Sequence, residues 1–363
     1  MIQKKFGGTG KTVSAIGFGA MRFIKEEYEK DPDICAELVK KAVDMGINYI
    51  DTAPGYCDDQ SEIIVGRAYE QCKDKPYLST KCGLWNANRA SSARKMVEQS
   101  LQRLQTEKIT FYNLWNIKSM DEYRQMTRKD GNLSGILKAK EEGLIEHICC
   151  TVHADGKTIK EIIADGKVDA VTLGYNALNF AYRREGVKAC YEQNLGVVVM
   201  NPLGGGTIPQ YAEKFGFIKT SPDETVATAA LKFLIGHPEI SVTLPGISNL
   251  DELNECVAAA ENVVPVTEER LDELTKSLNE ELNTLCTGCQ YCDQCPSGIP
   301  IPRLMEAYNS YILSGEKKSI ANRLSWHWGL KPETAAACTQ CGVCEPLCTQ
   351  KLPIIERLQE ICS

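Results

Sequence analysis

Residues 47–56, INYIDTAPGY, follow an amphipathic stretch at Ile34–Met45 and break off at a proline–glycine turn. An apolar run too brief for a helix and bounded by turn residues reads as a buried parallel strand. The next such run, Tyr77–Lys81, leads into Ser91–Leu104, where apolar residues recur at helical spacing. Working outward, the same unit repeats, and eight strands are predicted: Val13–Ala20, Ile47–Asp51, Tyr77–Lys81, Ile109–Trp115, His147–Val152, Ala170–Tyr175, Gly196–Asn201 and Ser241–Pro245. Between them, Ile159–Ala164 and Thr225–Gly236 also carry helical periodicity. Eight strand-then-helix units predict an α/β chain closed into a (β/α)8 TIM barrel, whose chemistry sits on loops at the C-terminal strand ends. Ile2–Phe6 is expected to hairpin across the barrel floor.

Two of those strand ends carry reactive groups. The second ends at Asp51 and turns through Tyr56; the third ends at Lys81. A tyrosine beside a lysine ammonium has its phenolate favoured, so its pKa is expected to fall toward neutrality, and it can give a proton to a carbonyl or take one from an alcohol. An aspartate beside the lysine would hold the ammonium in place. Singly, each residue reads as a cap, a packed ring or a solvated charge; together at strand ends they point to proton transfer.

The strand–helix alternation stops near residue 265, dividing the chain into a barrel at 1–265 and a module at 266–363. A helix is predicted at Glu268–Thr284, with shorter ones at Pro302–Ser314 and Ile320–Trp328. Eight of the seventeen cysteines fall in two runs, Cys286, Cys289, Cys292 and Cys295, then Cys338, Cys341, Cys344 and Cys348. A CxxCxxC loop aims three thiolates at three irons of a cubane, and the fourth ligand comes from elsewhere in the chain. As in two-cluster ferredoxins, Cys286, Cys289, Cys292 and Cys348 are assigned to one 4Fe–4S cluster and Cys338, Cys341, Cys344 and Cys295 to a second. Zinc modules space their CxxC pairs more widely, so zinc is the weaker reading. The module is expected to have little core of its own, to draw folding energy from its metal centres, and to screen them from water with its tryptophans.

At 363 residues and 43% hydrophobic content the chain accommodates about two domains. A net charge of −7 argues against nucleic acid as a partner. No run of about eighteen apolar residues predicts a membrane span. The opening MIQKKF lacks a leader's apolar segment, so a cytoplasmic location with reduced thiols is expected. The 7–12 stretch GGTGKT imitates a phosphate-binding loop, but Lys5 stands where that motif needs its first glycine.

The segments GKTVSAIGFGAMRF, NYIDTAPGY, STKCG, NPLGGG and LPGISNLDELNE, with the double cysteine motif behind them, resemble the bacterial branch of the aldo/keto reductases that carries a C-terminal ferredoxin-like extension. The resemblance runs nearly end to end. It implies that Asp51, Tyr56 and Lys81 are catalytic, with Tyr56 as general acid, and that NADP(H) reduces an aldehyde or ketone. It also exposes departures. Trp115 stands where the family has a catalytic histidine. Thr151 and Thr172 replace residues that grip the nicotinamide amide, and Glu255 is followed by Cys256 where adenine is read. No basic residue at Ser248 or Asn249 awaits a 2′-phosphate.

The remaining cofactor candidates on this alignment are Asn201, Leu203, Gly204, Gly205 and Gly246. The glycine triplet at 204–206 would admit a phosphate against bare backbone, or serve as a flexible loop. Among the four histidines, His153 is placed at a strand end, as a substitute acid, a substrate ligand or a structural residue. Cys57 and Cys82, next to Tyr56 and Lys81, read as packing thiols before activated ones. The leading expectation is an oxidoreductase acting on a small carbonyl or hydroxyl compound, with electrons relayed through two 4Fe–4S clusters from a ferredoxin- or flavodoxin-like carrier. The alternatives are an NADP(H)-dependent carbonyl reductase with structural clusters, and a non-catalytic electron-transfer component.

Overall fold

The computed structural model describes residues 1–281, 284–286, 288, 290–348 and 350–363. Eight parallel strands form one sheet in sequential order: β1 (Phe18–Gly19), β2 (Tyr49–Asp51), β3 (Tyr77–Gly83), β4 (Ile109–Ile117), β5 (Ile145–Val152), β6 (Ala170–Gly174), β7 (Gly196–Met200) and β8 (Val242–Leu244). Parallel bridges from Ile16 to Thr243 and from Gly19 to Gly246 bring the first strand back to the last. The Gly17 and Gly19 amides donate to the Thr243 and Pro245 carbonyls at 2.9 Å. A Cβ on Gly19 would meet the Pro245 carbonyl oxygen at 2.7 Å, so this seam needs a bare backbone.

The predicted first strand, Val13–Ala20, is in fact two pieces. Thr12–Ser14 pairs antiparallel with Gln3–Lys5 in the floor hairpin, and only Phe18–Gly19 joins the barrel. Residues 13–20 are buried throughout, so burial alone does not mark the break between the two pieces. The hairpin pushes Phe6 up into the barrel, where its ring lies 4.6 Å from that of Phe111 and 5.7 Å from that of Tyr49. The glycine-rich 7–12 stretch turns at this floor, with the Gly8 amide donating to Asn194.

Crossover helices begin at polar caps. Asp31 accepts from the Asp33 amide, Ser119 from Glu122, Asp155 from Thr158, Thr225 from Thr228 and Asn249 from Glu252. The helix Glu268–Glu281 places Leu271, Leu274 and Leu278 in the barrel's own hydrophobic core.

The C-terminal region has a core after all. Ile301, Leu304, Met305, Ile320, Leu324, Ile354, Leu358 and Ile361 are buried together with Cys292 and Cys344. The helix Ile301–Ser314 supplies one apolar stripe, and the unanticipated helix Ile354–Cys362 supplies the other. Among the described residues no helix is long and apolar enough to cross a membrane.

Candidate active site

Because side chains alternate along a strand, Ser79 and Lys81 of β3 share the barrel-facing side with Asp51 of β2. Lys81 is 2% exposed and Asp51 5% exposed. Lys81 Nζ lies 2.5 Å from Asp51 Oδ2, while Asp51 Oδ1 accepts from the Ser79 hydroxyl at 2.8 Å. Asn113 of β4 donates to Ser79 Oγ and to the Thr80 carbonyl, both at 3.1 Å. A buried carboxylate with a hydroxyl donor on one oxygen and a partner cation on the other meets the conditions under which a buried ion pair is tolerated. Ser79 and Asn113 were not anticipated; the period of two from Lys81 and from Trp115 is the feature that marks them.

Lys81 Nζ stands 5.2 Å from the ring centroid of Tyr56 and 5.9 Å from that of Trp115. Tyr56 meets Trp115 edge-on at 5.7 Å, and Trp115 meets Trp85 at 5.3 Å. Trp85 is 63% exposed, so an aromatic wall runs from the proton site to solvent. The expected fall of the Tyr56 pKa does not occur. Burial pushes it above the ordinary phenol value, and the opposing pull of the Lys81 ammonium is smaller. Lys81 is itself raised: burial works against its charge, but Asp51 and Tyr56 outweigh it. The arrangement therefore holds a neutral phenol, a proton donor, beside a fixed cation. Cys57 and Cys82 are not activated; burial raises both thiols, Cys82 to about 11.

His153 does not join this group. Its ring faces His327 of the C-terminal module in a T-shaped contact at 5.6 Å. Burial pulls both imidazoles down, His327 to about 3. Arg183 caps this end of the barrel, donating to the carbonyls of His153, Ala154 and Gly174 at 2.9 to 3.0 Å.

The positions aligned with a nicotinamide site are occupied by internal contacts. Thr151 Oγ1 accepts from the Asn116 amide at 2.6 Å, at a bulge in β4. Thr172 is buried opposite Thr151 in the β5–β6 register. The Ser248 amide and hydroxyl both donate to Glu252, at 2.7 and 2.8 Å, which sets a carboxylate at the helix start where a 2′-phosphate would need donors. Glu255 accepts from Thr225 and Thr228. Gly246 is covered by the Arg22 side chain. Asn201 is left-handed, with φ of 59°, and its carbonyl accepts from the Asn176 side chain. Beyond the half-buried Leu203, Gly204 and Gly205 continue with φ of 62° and 70° in an open loop.

The cysteine runs share one backbone design. In the first, Gly288 and Gln290 are left-handed; in the second, Gln340 and Gly342 occupy the same places. Left-handed residues turn amides toward the thiols: Gly288 donates to Cys286 Sγ and Gln340 to Cys338 Sγ, each at 3.4 Å. The Leu352 amide donates to Cys348 Sγ at 3.4 Å. Cys286, Cys292 and Cys348 line one cavity with Pro302, Met305 and Leu352, although Cys348 is more than fifty residues from the other two. Cys295 and Cys338 are half-buried, Cys344 is buried and Cys341 is exposed. Cys289 lies outside the described residues. Among the described residues no three His, Cys, Asp or Glu side chains gather as ligands of a single ion. Matched thiol-bearing loops with amide–sulfur bonds, and thiols from both runs around one cavity, fit cubane clusters.

This module is seated at the C-terminal ends of the barrel strands. Gly329 packs on Lys118 just past β4, His327 on His153 past β5, and Trp328 on Tyr182 past β6. Gln290 donates to the Tyr182 carbonyl at 3.1 Å. Glu306 anchors Arg323 and accepts from the Trp328 indole at 2.9 Å. Trp328 is thus a docking residue that also lies in one buried cluster with Cys292 and Cys344, while Trp326 is exposed.

A barrel with a buried Asp–Lys pair beside a tyrosine is joined, at the C-terminal ends of its strands, to a module with two matched cysteine runs. Residues 15–279 match the aldo/keto reductase family, and residues 285–352 match the 4Fe-4S dicluster domain. The chain belongs to the aldo/keto reductase family and carries a 4Fe-4S dicluster domain at its C-terminal end. It is 27% identical to an uncharacterized oxidoreductase of Schizosaccharomyces pombe over 68% of this chain and 82% of that protein. It is 26% identical to L-galactose dehydrogenase of Arabidopsis thaliana over 70% of this chain and 87% of that protein. A solved aldo-keto reductase from Klebsiella pneumoniae in complex with NADPH superposes with a TM-score of 0.60 at 22% identity, covering 76% of this chain and 95% of that one.

Proposed function

We propose that this enzyme interconverts a small carbonyl compound and its alcohol, with the proton handled by Tyr56 and electrons arriving through two cysteine-held clusters from a ferredoxin- or flavodoxin-like carrier. The observation that carries this reading is the asymmetry of the barrel mouth. The proton network of Asp51, Ser79, Lys81 and Tyr56 is complete, whereas Ser248, Thr151 and Glu255 are bound to neighbours within the chain. These residues do not fit a nicotinamide phosphate site: each tie is worth about 1 kcal/mol, and several must break together.

Tyr56 holds the proton destined for the carbonyl oxygen, and Lys81 supplies the positive field that steadies oxygen as negative charge develops there. Asp51 keeps Lys81 charged and in register; Trp115 and Trp85 shape an aromatic wall for the substrate. His153 is assigned to the interface with the module. A carbonyl becomes an alcohol by taking two electrons, which clusters held by the eight cysteines would supply singly, and two protons, one from Tyr56 to oxygen and one from solvent to carbon. A cytoplasmic, oxygen-poor setting belongs to this reading.

One feature favours an NADP(H)-dependent carbonyl reductase instead. The open loop at Gly204 and Gly205 bares backbone that a pyrophosphate can approach. Titrating anaerobic holo-protein with NADPH separates the two. The proposal expects no saturation below about 1 mM, a binding free energy weaker than about −4 kcal/mol, together with carbonyl reduction by a one-electron donor. Micromolar binding with turnover on NADPH alone overturns it.

A further inference from the structure

The helix Ile354–Cys362 starts at the wall of the cavity that Cys286, Cys292 and Cys348 line. One turn on, Arg357 is 6% exposed. Its Nη2 donates to the Thr284 carbonyl at 2.8 Å, two residues before Cys286, and its guanidinium lies 4.8 Å from the Tyr308 ring centroid. Among the described residues its Nη1 has no partner. Cys286 and Cys348 both act on it electrostatically. Its acidic neighbour Glu360 accepts from the Tyr308 hydroxyl. A buried cation with an unused donor is costly unless an anion meets it.

The second run has a different setting. Cys341 is open to solvent, and Glu345, which follows Cys344, lies between the second run and the first run's cavity, its carboxylate accepting from the Ile355 amide at 3.1 Å. Adding an electron to a cluster adds negative charge, which a nearby buried cation favours and a nearby acid opposes.

We propose that Arg357 is the counter-charge of the cluster held by Cys286, Cys289, Cys292 and Cys348, raising that cluster's reduction potential so that electrons collect on the side of the module packed against Tyr182. This rests on the reading that the cysteine runs hold clusters. Arg357 touches no substrate; it tunes through its field and its free N–H.

The test is an anaerobic redox titration of holo-protein followed by electron paramagnetic resonance, for wild type, Arg357→Gln and Arg357→Lys. Arg357→Gln is expected to lower the reduced-to-oxidised ratio of one cluster about tenfold at fixed solution potential, a shift of about 59 mV for a one-electron couple. The other cluster stays in place, and Arg357→Lys keeps most of the wild-type value. Two unmoved potentials, or two equal shifts, overturn the proposal. Should Arg357→Gln fail to retain its clusters, wild type labelled with 15N in its arginine guanidinium groups decides by pulsed resonance. A nitrogen coupling on one cluster's signal that disappears in Arg357→Lys supports the proposal; absence from both signals overturns it. An iron-free protein sinks the cluster reading itself, and is told apart because no signal appears at all.

Discussion

The β2–β3 side of the barrel mouth and the β5–β8 side have the same architecture and opposite states of commitment. On the first, Asp51, Ser79 and Lys81 form a closed network that leaves Tyr56 facing the opening with its proton in place. On the second, Thr151, Ser248 and Glu255 are tied to neighbours, and the C-terminal module presses on the ends of β4, β5 and β6. Proton chemistry and electron supply are separable functions of a barrel, because each strand end carries its own loop.

If the β2–β3 side does the chemistry, Tyr56→Phe lowers kcat by about 10²- to 10⁴-fold, the usual worth of a positioned acid. Steady-state turnover with a one-electron donor measures this. In the wild type, burial raises the Tyr56 pKa above its ordinary value of 10. The donating form therefore persists from pH 7 to 10, and the alkaline loss of rate begins above pH 10. A limb near pH 8 would restore a lowered phenol and contradict the geometry.

On the module side, Cys292→Ser removes one thiol from the shared cavity and takes folding energy from the module while sparing the barrel. Calorimetry should resolve two transitions in the variant, the lower belonging to the module; a single unshifted transition would show that the thiol carries no metal. Glu306→Gln acts at the contact itself. Burial works against the Glu306 charge, yet the Arg323 guanidinium, helped by the Trp328 indole N–H, holds its pKa down at about 2. A lowered carboxylate stabilises the folded state above about pH 4.5 and loses that contribution as pH falls toward 2. The difference of about 2.5 units corresponds to roughly 3 kcal/mol near neutrality. The variant should be weaker by about that amount in denaturant at pH 7, and should lose the acid dependence.

The smallest effect is expected from Ser79→Ala. Losing one hydrogen bond to Asp51 costs about 1 kcal/mol, a five- to tenfold fall in kcat with KM unchanged. An unchanged rate would mean that Asp51 needs no orientation beyond Lys81.

Much of the barrel was legible residue by residue. Seven of the eight predicted strands lie where expected within about two residues, because a strand buried on both faces is a plain apolar run. The exception, Val13–Ala20, is one buried run in the chain but two pieces in space, since residues 13–20 are buried whether they lie in the floor hairpin or in the barrel. Asp51, Lys81, Tyr56 and Trp115 meet as their strand ends imply. The Tyr56 pKa was misjudged because the charge of Lys81 is visible in a sequence and the depth of burial is not. The helix Ile354–Cys362 is not among the predicted elements; at nine residues it is too short for helical periodicity to stand out behind a cysteine run.

Residue type and spacing along the chain already carried the strand count, the Asp–Tyr–Lys triad and the thiol tripods, because each depends on local periodicity or on ligand spacing within one loop. Which groups remain free is another matter. That His153 turns to His327 and that Arg357 is buried near Cys286 and Cys348 are facts of long-range packing, between residues whose separation in the chain gives no hint of their contact.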